Sequence, residues 1–158
     1  MHIFRNANEK WWRKPLVMSD AGPLPAELAI LAREIKHGED GVWINSRSTT
    51  TGVCGLSRKV GKVETIRKEL PDFISVFLAS VYENENLSSG CPDLVIWNIE
   101  TRAFRFVEVK CPLWDRPTKQ QDQFMAFAAS EGIETTISEW VFEDSGDSAT
   151  KRSLDGNS

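Results

Sequence analysis

The sequence predicts an α/β domain: a small mixed β-sheet flanked by helices, with a helical insert ahead of a central hairpin. Three observations carry this. Residues 94–110, LVIWNIETRAFRFVEVK, hold two runs of β-branched and aromatic residues on either side of a short polar turn. Helical periodicity with matching end signals stands on both sides of that hairpin, in PLPAELAILAREIK and TKQQDQFMAFAASEG. A last run, IETTISEWVF, has the composition of a closing strand.

In chain order, residues 1–22 follow neither period and are expected to form an irregular arm, with Trp11 and Trp12 packing onto the body. Pro25 suits the first turn of a helix that places Leu28, Leu31, Ala32 and Ile35 on one face, and Gly38 is its stop. VWIN, at 42–45, is a short strand. Residues 46–62 are rich in Ser, Thr and Gly and are expected to be a loop. A helical segment follows at about 63–83, with Pro71 as its natural break. ENENLSSGC links it to the hairpin, and CPLWDRP is a loop beyond. Thr118 can then cap a helix, Gln121 falls where a capping box needs it, and Gly132 can end it. The domain therefore runs over 23–142, and the polar residues 143–158 form a tail expected to be disordered.

A chain of 158 residues suffices for one domain with its own core. No apolar run approaches the roughly 20 residues that cross a bilayer, and MHIFRNANEKWWRK lacks the apolar region of a secretory signal. Cys54, Cys91 and Cys111 form no C-x-x-C pair, and an odd count argues against a disulfide framework. With His2 and His37 as the two histidines, a zinc site is not expected. These features point to a reduced, cytoplasmic protein with no membrane partner. A net charge of −4 does not single out a nucleic-acid binder, but the charge is uneven. Residues 143–158 are acidic overall, whereas 41–62 contain Arg47, Arg58, Lys59 and Lys62 and no acid. Such a stretch can hold phosphates or be a solvated loop, and both readings stand.

The segment GCPDLVIWNIETRAFRFVEVKCP, at 90–112, sets Asp93, Glu108 and Lys110 at or inside apolar runs. An unpartnered ion there costs on the order of several kcal/mol. If the strands pair antiparallel about Glu100–Thr101, Trp97 faces Phe104, Val95 faces Phe106 and Asp93 faces Glu108. Lys110 lies two residues further along, on the face of Glu108. Opposed carboxylates repel, and either a proton on one or a cation between them relieves it. Two carboxylates with several waters are a usual Mg²⁺ set, and an ammonium beside them suits hydrolysis of a phosphodiester. A structural salt-bridge cluster is the alternative, and geometry alone does not choose.

Pro92-Asp93 followed by Glu108-Val109-Lys110 resembles the motif of the PD-(D/E)xK nuclease superfamily. With their surroundings, GCPDLVIWN, FRFVEVKCP and DRPTKQQ are similar to the VRR-type nuclease (VRR-NUC) domain, best known from the C-terminus of Fanconi-associated nuclease. The matching segments are Gly90 to Leu94, Val107 to Lys110 and Asp115 to Gln121, with Thr118 in the family's serine place. The resemblance implies a restriction-endonuclease-like core and a Mg²⁺- or Mn²⁺-dependent DNA endonuclease favouring branched or flap DNA. It makes Asp93 and Glu108 metal ligands, the Val109 carbonyl a third, and Lys110 the catalytic lysine.

The family's glutamate on the first helix is assigned to Glu27, with Glu34 as competitor; a first-turn glutamate also suits the helix dipole alone. Gln121 takes the place of the family's glutamine while fitting the capping box. Cys111 replaces the family's glycine, and the CPLWDR loop is one residue longer than the family's. That brings Trp114 to the rim, as a base-stacking residue or a loop anchor. Arg116 is a candidate phosphate contact. Nothing near Cys91 or Cys111 activates a thiol, so both are expected to be packing residues. The same chemistry would serve a DNA-damaging antibacterial toxin with an immunity partner, and the fold without catalysis would serve as an interaction module. Oligomeric state is left open.

Overall fold

The hairpin forms in the expected register. In the computed structural model, Leu94 pairs with Val107, Val95 with Phe106, Ile96 with Arg105 and Trp97 with Phe104. The model describes residues 1–7, 16–44, 53–59 and 62–143. Among these, the elements in chain order are β1 (His2–Asn6), β2 (Leu16–Ser19), β3 (Gly22–Pro25), α1 (Ala26–Glu34), β4 (Glu39–Ile44), β5 (Val53–Lys59), β6 (Lys62–Arg67), α2 (Asp72–Asn84), β7 (Leu94–Asn98), β8 (Phe104–Lys110), α3 (Lys119–Ser130) and β9 (Glu134–Phe142). The strands build one sheet in the order β3-β2-β1-β9-β8-β7-β4-β5-β6. Strand β9 runs parallel to both its neighbours, β8 and β1, and the other pairs are antiparallel. This is the α/β class predicted, with a larger sheet.

Two expectations are corrected. Where it is described, the arm over 1–22 is not irregular: β1, β2 and the start of β3 extend the sheet beyond β9. Each of these strands has four or five residues and buries a single apolar side chain, Phe4, Val17 or Leu24, too little alternation to read as a period. Over the described residues 53–59 and 62–67, the expected loop and the helix from 63 give way to the β5–β6 hairpin, in which Cys54 pairs with Arg67 and Lys59 with Lys62. KVETIR is a strand because Val63, Thr65 and Ile66 favour a pleated surface. The helix begins only after Pro71, which holds its N-cap position. Trp11, Trp12 and the tail beyond Glu143 lie outside the described residues.

Helix α1 is buried over six successive residues, Ala26 to Leu31, rather than on one face. The sheet explains why. The helix touches β2 and β3 near one end of the sheet and β4 and β5 near the other. At about 4.8 Å per strand, β3 and β4 would stand roughly 29 Å apart in a flat sheet, beyond the reach of a helix about 10–12 Å across. The sheet must therefore curl round α1. Phe4, Val17, Leu28, Leu31, Val107, Val109 and Trp140 share that inner core. Helices α2 and α3 cover the other face, where Ile74, Val81, Phe106, Phe124 and Ala128 form a second core.

Candidate active site

Strand β8 presents alternate side chains to the two cores, so Val107 and Val109 face α1 while Phe106 faces α2 and α3. Glu108 and Lys110 fall on the α3 side, at the end of the strand. One cleft of about 260 Å³ opens there, lined by Ala26, Glu27, Asp93, Glu108, Val109, Lys110, Trp114, Asp115, Gln121 and Trp140.

Asp93 precedes β7, and its carboxylate does not simply oppose that of Glu108. Asp93 Oδ2 accepts a hydrogen bond from the Val109 amide at 3.0 Å, and its carbonyl accepts from Ile44 N at 2.7 Å. Glu108, only 2% exposed, takes the Lys110 ammonium on Oε1 at 2.7 Å and a hydrogen bond from Gln121 Nε2 at 2.6 Å. The repulsion expected between the two acids is thus relieved by protein donors, a third arrangement beside the proton and the bridging cation. Burial still holds the Glu108 carboxyl above the ordinary range, and the neighbouring Lys110 opposes that shift. The second oxygen, Glu108 Oε2, is buried without a hydrogen-bond partner among the described residues.

Gln121 belongs to α3 and to the cleft at once. Its backbone N–H donates to Thr118 Oγ1 at 3.2 Å and its Oε1 accepts from Thr118 N at 3.0 Å, a complete capping box. The same Oε1 accepts from Lys110 Nζ at 3.2 Å. One amide therefore fixes a helix end, a lysine and a carboxylate.

From the opposite face, the first turn of α1 brings Glu27 to the cleft wall, where it is 8% exposed. Glu34, one heptad on, is committed elsewhere: its Oε2 lies 3.2 Å from Arg105 Nη1. Beyond Lys110 the chain makes a turn in which Asp115 Oδ2 accepts from Cys111 N at 2.8 Å and Asp115 N donates to Cys111 O at 2.9 Å. Trp114 rests against Trp140 and Phe142, with ring centroids 5.6 and 6.3 Å away.

The model of the VRR-NUC domain family matches residues 43–139, about three-fifths of the chain. The chain belongs to the VRR-NUC domain family. A Fanconi-associated nuclease 1 homolog of Caenorhabditis briggsae is 34% identical over 67 residues, which cover 42% of this chain and 8% of that relative. Crystal structures of paFAN1 bound to DNA with a gap and a 5′ flap of two nucleotides or of one are also similar. The first is 23% identical with a TM-score of 0.37, covering 44% of this chain and 13% of that one. The second is 24% identical with a TM-score of 0.37, covering 47% and 14%.

In this VRR-NUC domain, the cleft gathers Glu27, Asp93, Glu108, Val109, Lys110, Gln121 and Trp114 from the sequence-derived candidates. Arg116 is not among them: it is exposed, and its Nη1 donates to the carbonyls of Pro112 and Asp115 at 3.1 Å. Arg58, Lys59 and Lys62 stand on the β5–β6 hairpin instead of a loop, and Arg47 lies outside the described residues. Three lining residues had no assigned role in the sequence reading: Ala26, Trp140 and Asp115. Asp115 was visible as an acid inside the DRPTKQQ motif, whereas nothing local distinguishes Trp140 from a core residue. Burial pushes up the thiols of Cys91 and Cys111, as suits packing residues.

The donor set fits a hydrated divalent ion. Among the described residues there is no group of three His, Cys, Asp or Glu side chains placed to hold a metal ion by themselves. Mg²⁺ needs none, since it is held by one or two carboxylates and keeps several waters. Four carboxylates line the cleft, those of Glu27, Asp93, Glu108 and Asp115, and Glu108 offers the unsatisfied buried oxygen Oε2.

Proposed function

We propose that this VRR-NUC domain is a Mg²⁺- or Mn²⁺-dependent DNA nuclease that cuts internally and favours branched or flap DNA. The observation that carries the reading is the cleft in which Lys110 is gripped by both Glu108 and Gln121 beside Asp93 and Glu27. Asp93, Glu108 and Glu27, with the Val109 carbonyl, would hold the ion. When bound, the ion supplies a more acidic water and offsets charge developing on the phosphoryl oxygens. Lys110 would orient the attacking water and stabilise that same charge through its ammonium. Glu108 and Gln121 hold Nζ in place, so little reorganisation is left for the reaction itself. The segment shared with the nematode Fanconi-associated nuclease 1 homolog supports the nuclease reading, and the preference for branched or flap DNA is the finer part of the proposal.

Cleavage of supercoiled plasmid in Mg²⁺ or Mn²⁺ tests this, with Lys110→Ala prepared in parallel. The wild type should nick or linearise the plasmid, or cut flap substrates, and the variant should be slower by about 10²-fold or more. A wild type that leaves plasmid, flaps and junctions intact would sink the reading and favour an interaction module.

A further inference from the structure

The turn that follows Lys110 carries two apolar side chains that the fold does not hide. Leu113 is 55% exposed and Trp114 is 40% exposed. Beneath them the residues that anchor the turn, Trp140 and Phe142, are already buried at 3% and 8%. Single exposed apolar residues need no explanation, but two neighbours at the mouth of a charged cleft do. The turn is also braced. Trp114 N and Asp115 N both donate to Cys111 O, at 3.2 and 2.9 Å, and Cys111 N donates to Asp115 Oδ2 at 2.8 Å. Arg116 Nη1 ties Pro112 O from outside at 3.1 Å. Four hydrogen bonds and two ring contacts thus hold an exposed Leu–Trp pair in place, so its ordering cost is met on folding and not on binding.

We infer that Leu113 and Trp114 form a wedge for an unpaired nucleotide, with Trp114 stacking on its base and Leu113 packing against the end of the adjoining base pair. This rests on the DNA nuclease reading and names the part of the site that recognises DNA structure. Lys110 and Trp114 line the same cleft. A phosphate held at the ammonium therefore brings its own base to the indole, provided that base is out of the helical stack. A paired base has both faces covered and gains nothing from the ring. Stacking on an aromatic side chain is tolerant of sequence, and apolar wedges favour steps that are already unstacked. The wedge therefore selects for a junction between paired and unpaired DNA, and not for a sequence.

The test is a binding titration in Ca²⁺, with the DNA shown by gel to stay intact. One probe is a duplex with a 5′ flap carrying 2-aminopurine at its first unpaired position, and the other is the matching blunt duplex. Wild type should quench the 2-aminopurine on binding. Trp114→Leu, which keeps apolar bulk but has no aromatic face, should lose the quench and bind the flap about 10-fold more weakly, with blunt-duplex affinity unchanged. Trp114→Phe should fall between the two. Leu113→Ser, at an exposed position, should weaken flap binding alone and guards against misfolding of the Trp114 variants. An unchanged quench in Trp114→Leu, or an equal loss of both DNAs in Leu113→Ser and Trp114→Leu, would overturn the wedge. Wild type that binds neither DNA overturns the wedge together with the nuclease reading. Quenched binding without any cleavage in Mg²⁺ keeps the wedge and removes the nuclease alone.

Discussion

Gln121 serves three partners with one amide, and its capping and site roles can be separated. A glutamate completes a capping box as well as a glutamine does. Gln121→Glu therefore keeps the acceptor for Thr118 N and for Lys110, but it sets a carboxylate oxygen where a donor now stands 2.6 Å from Glu108 Oε1. We expect its melting temperature to stay within about 4 °C of wild type, while cleavage falls by about 10²-fold or more. Normal cleavage by this variant, followed on labelled DNA, would leave capping as its whole role. Gly90 supports the same end of α3 by having no side chain. Its φ is +103°, and a Cβ would stand 2.5 Å from the Gln120 carbonyl oxygen and 2.6 Å from its carbon. Ser89 Oγ donates to the Gln120 side chain beside it. Gly90→Ala should cost about 2 kcal/mol or more in urea unfolding, because it adds backbone strain to a backbone collision. Its activity should drop further than its stability, since the displaced turn is the one that carries Gln121.

At the scale of elements, the parts legible in the sequence were those whose signals are local and redundant. The β7–β8 register followed from two apolar runs around a turn, and α3 from a capping box and Gly132, which has φ of +74°. Strands β1 to β3 were not legible, because strands of four or five residues bury one side chain each and borrow their order from a sheet that sequence neighbours do not show. The β5–β6 hairpin was hidden by Ser, Thr and Gly, which read as loop. Within the site, Asp93, Glu108 and Lys110 stood out as charges in apolar runs. Glu27 did not, since a first-turn glutamate is ordinary until the curled sheet buries it. Strand β1 has its own measurable lock. His2 Nδ1 accepts from Arg33 Nη1 of α1 at 3.3 Å, so Nε2 carries the proton toward Ser138 Oγ of β9 at 3.1 Å. Burial and the Arg33 charge hold the His2 pKa below the usual 6.5, with Glu34 partly opposing them. The folded state then binds fewer protons than the unfolded chain between the lowered value and 6.5. Stability present above that window is lost as pH falls through it. The melting temperature should drop on acidification below about 6.5, and His2→Gln should flatten that part of the curve. An identical pH profile in the variant would show that His2 is not the group that makes stability depend on pH in this range.

Across the whole molecule, the curl of the sheet places the cleft where the two cores meet. Helix α1 delivers Glu27 from inside the curl and α3 delivers Gln121 from outside, with β8 between them. The charge is arranged on the same scale. A chain of net charge −4 repels DNA as a whole, yet at physiological salt that repulsion is screened within about 8 Å. Local bases then decide binding. Strands β5 and β6 lie two and three places from β7 in the sheet, and their register puts Arg58 opposite Val63 and Lys59 opposite Lys62. Three bases thus share two adjacent rungs near the end of a hairpin, on the side of the sheet order away from β9. We expect these bases to contact the phosphates of a duplex whose strand enters the cleft. Each phosphate so neutralised adds about 0.9 to the slope of log affinity against log salt. Replacing Arg58, Lys59 and Lys62 together by alanine should lower that slope by about 2–3, measured on blunt duplex in Ca²⁺. Lys110→Ala, which removes one cation, should lower it by about 1 at most. An unchanged slope in the triple variant would take the hairpin off the DNA path and leave the phosphate contacts to the cleft itself.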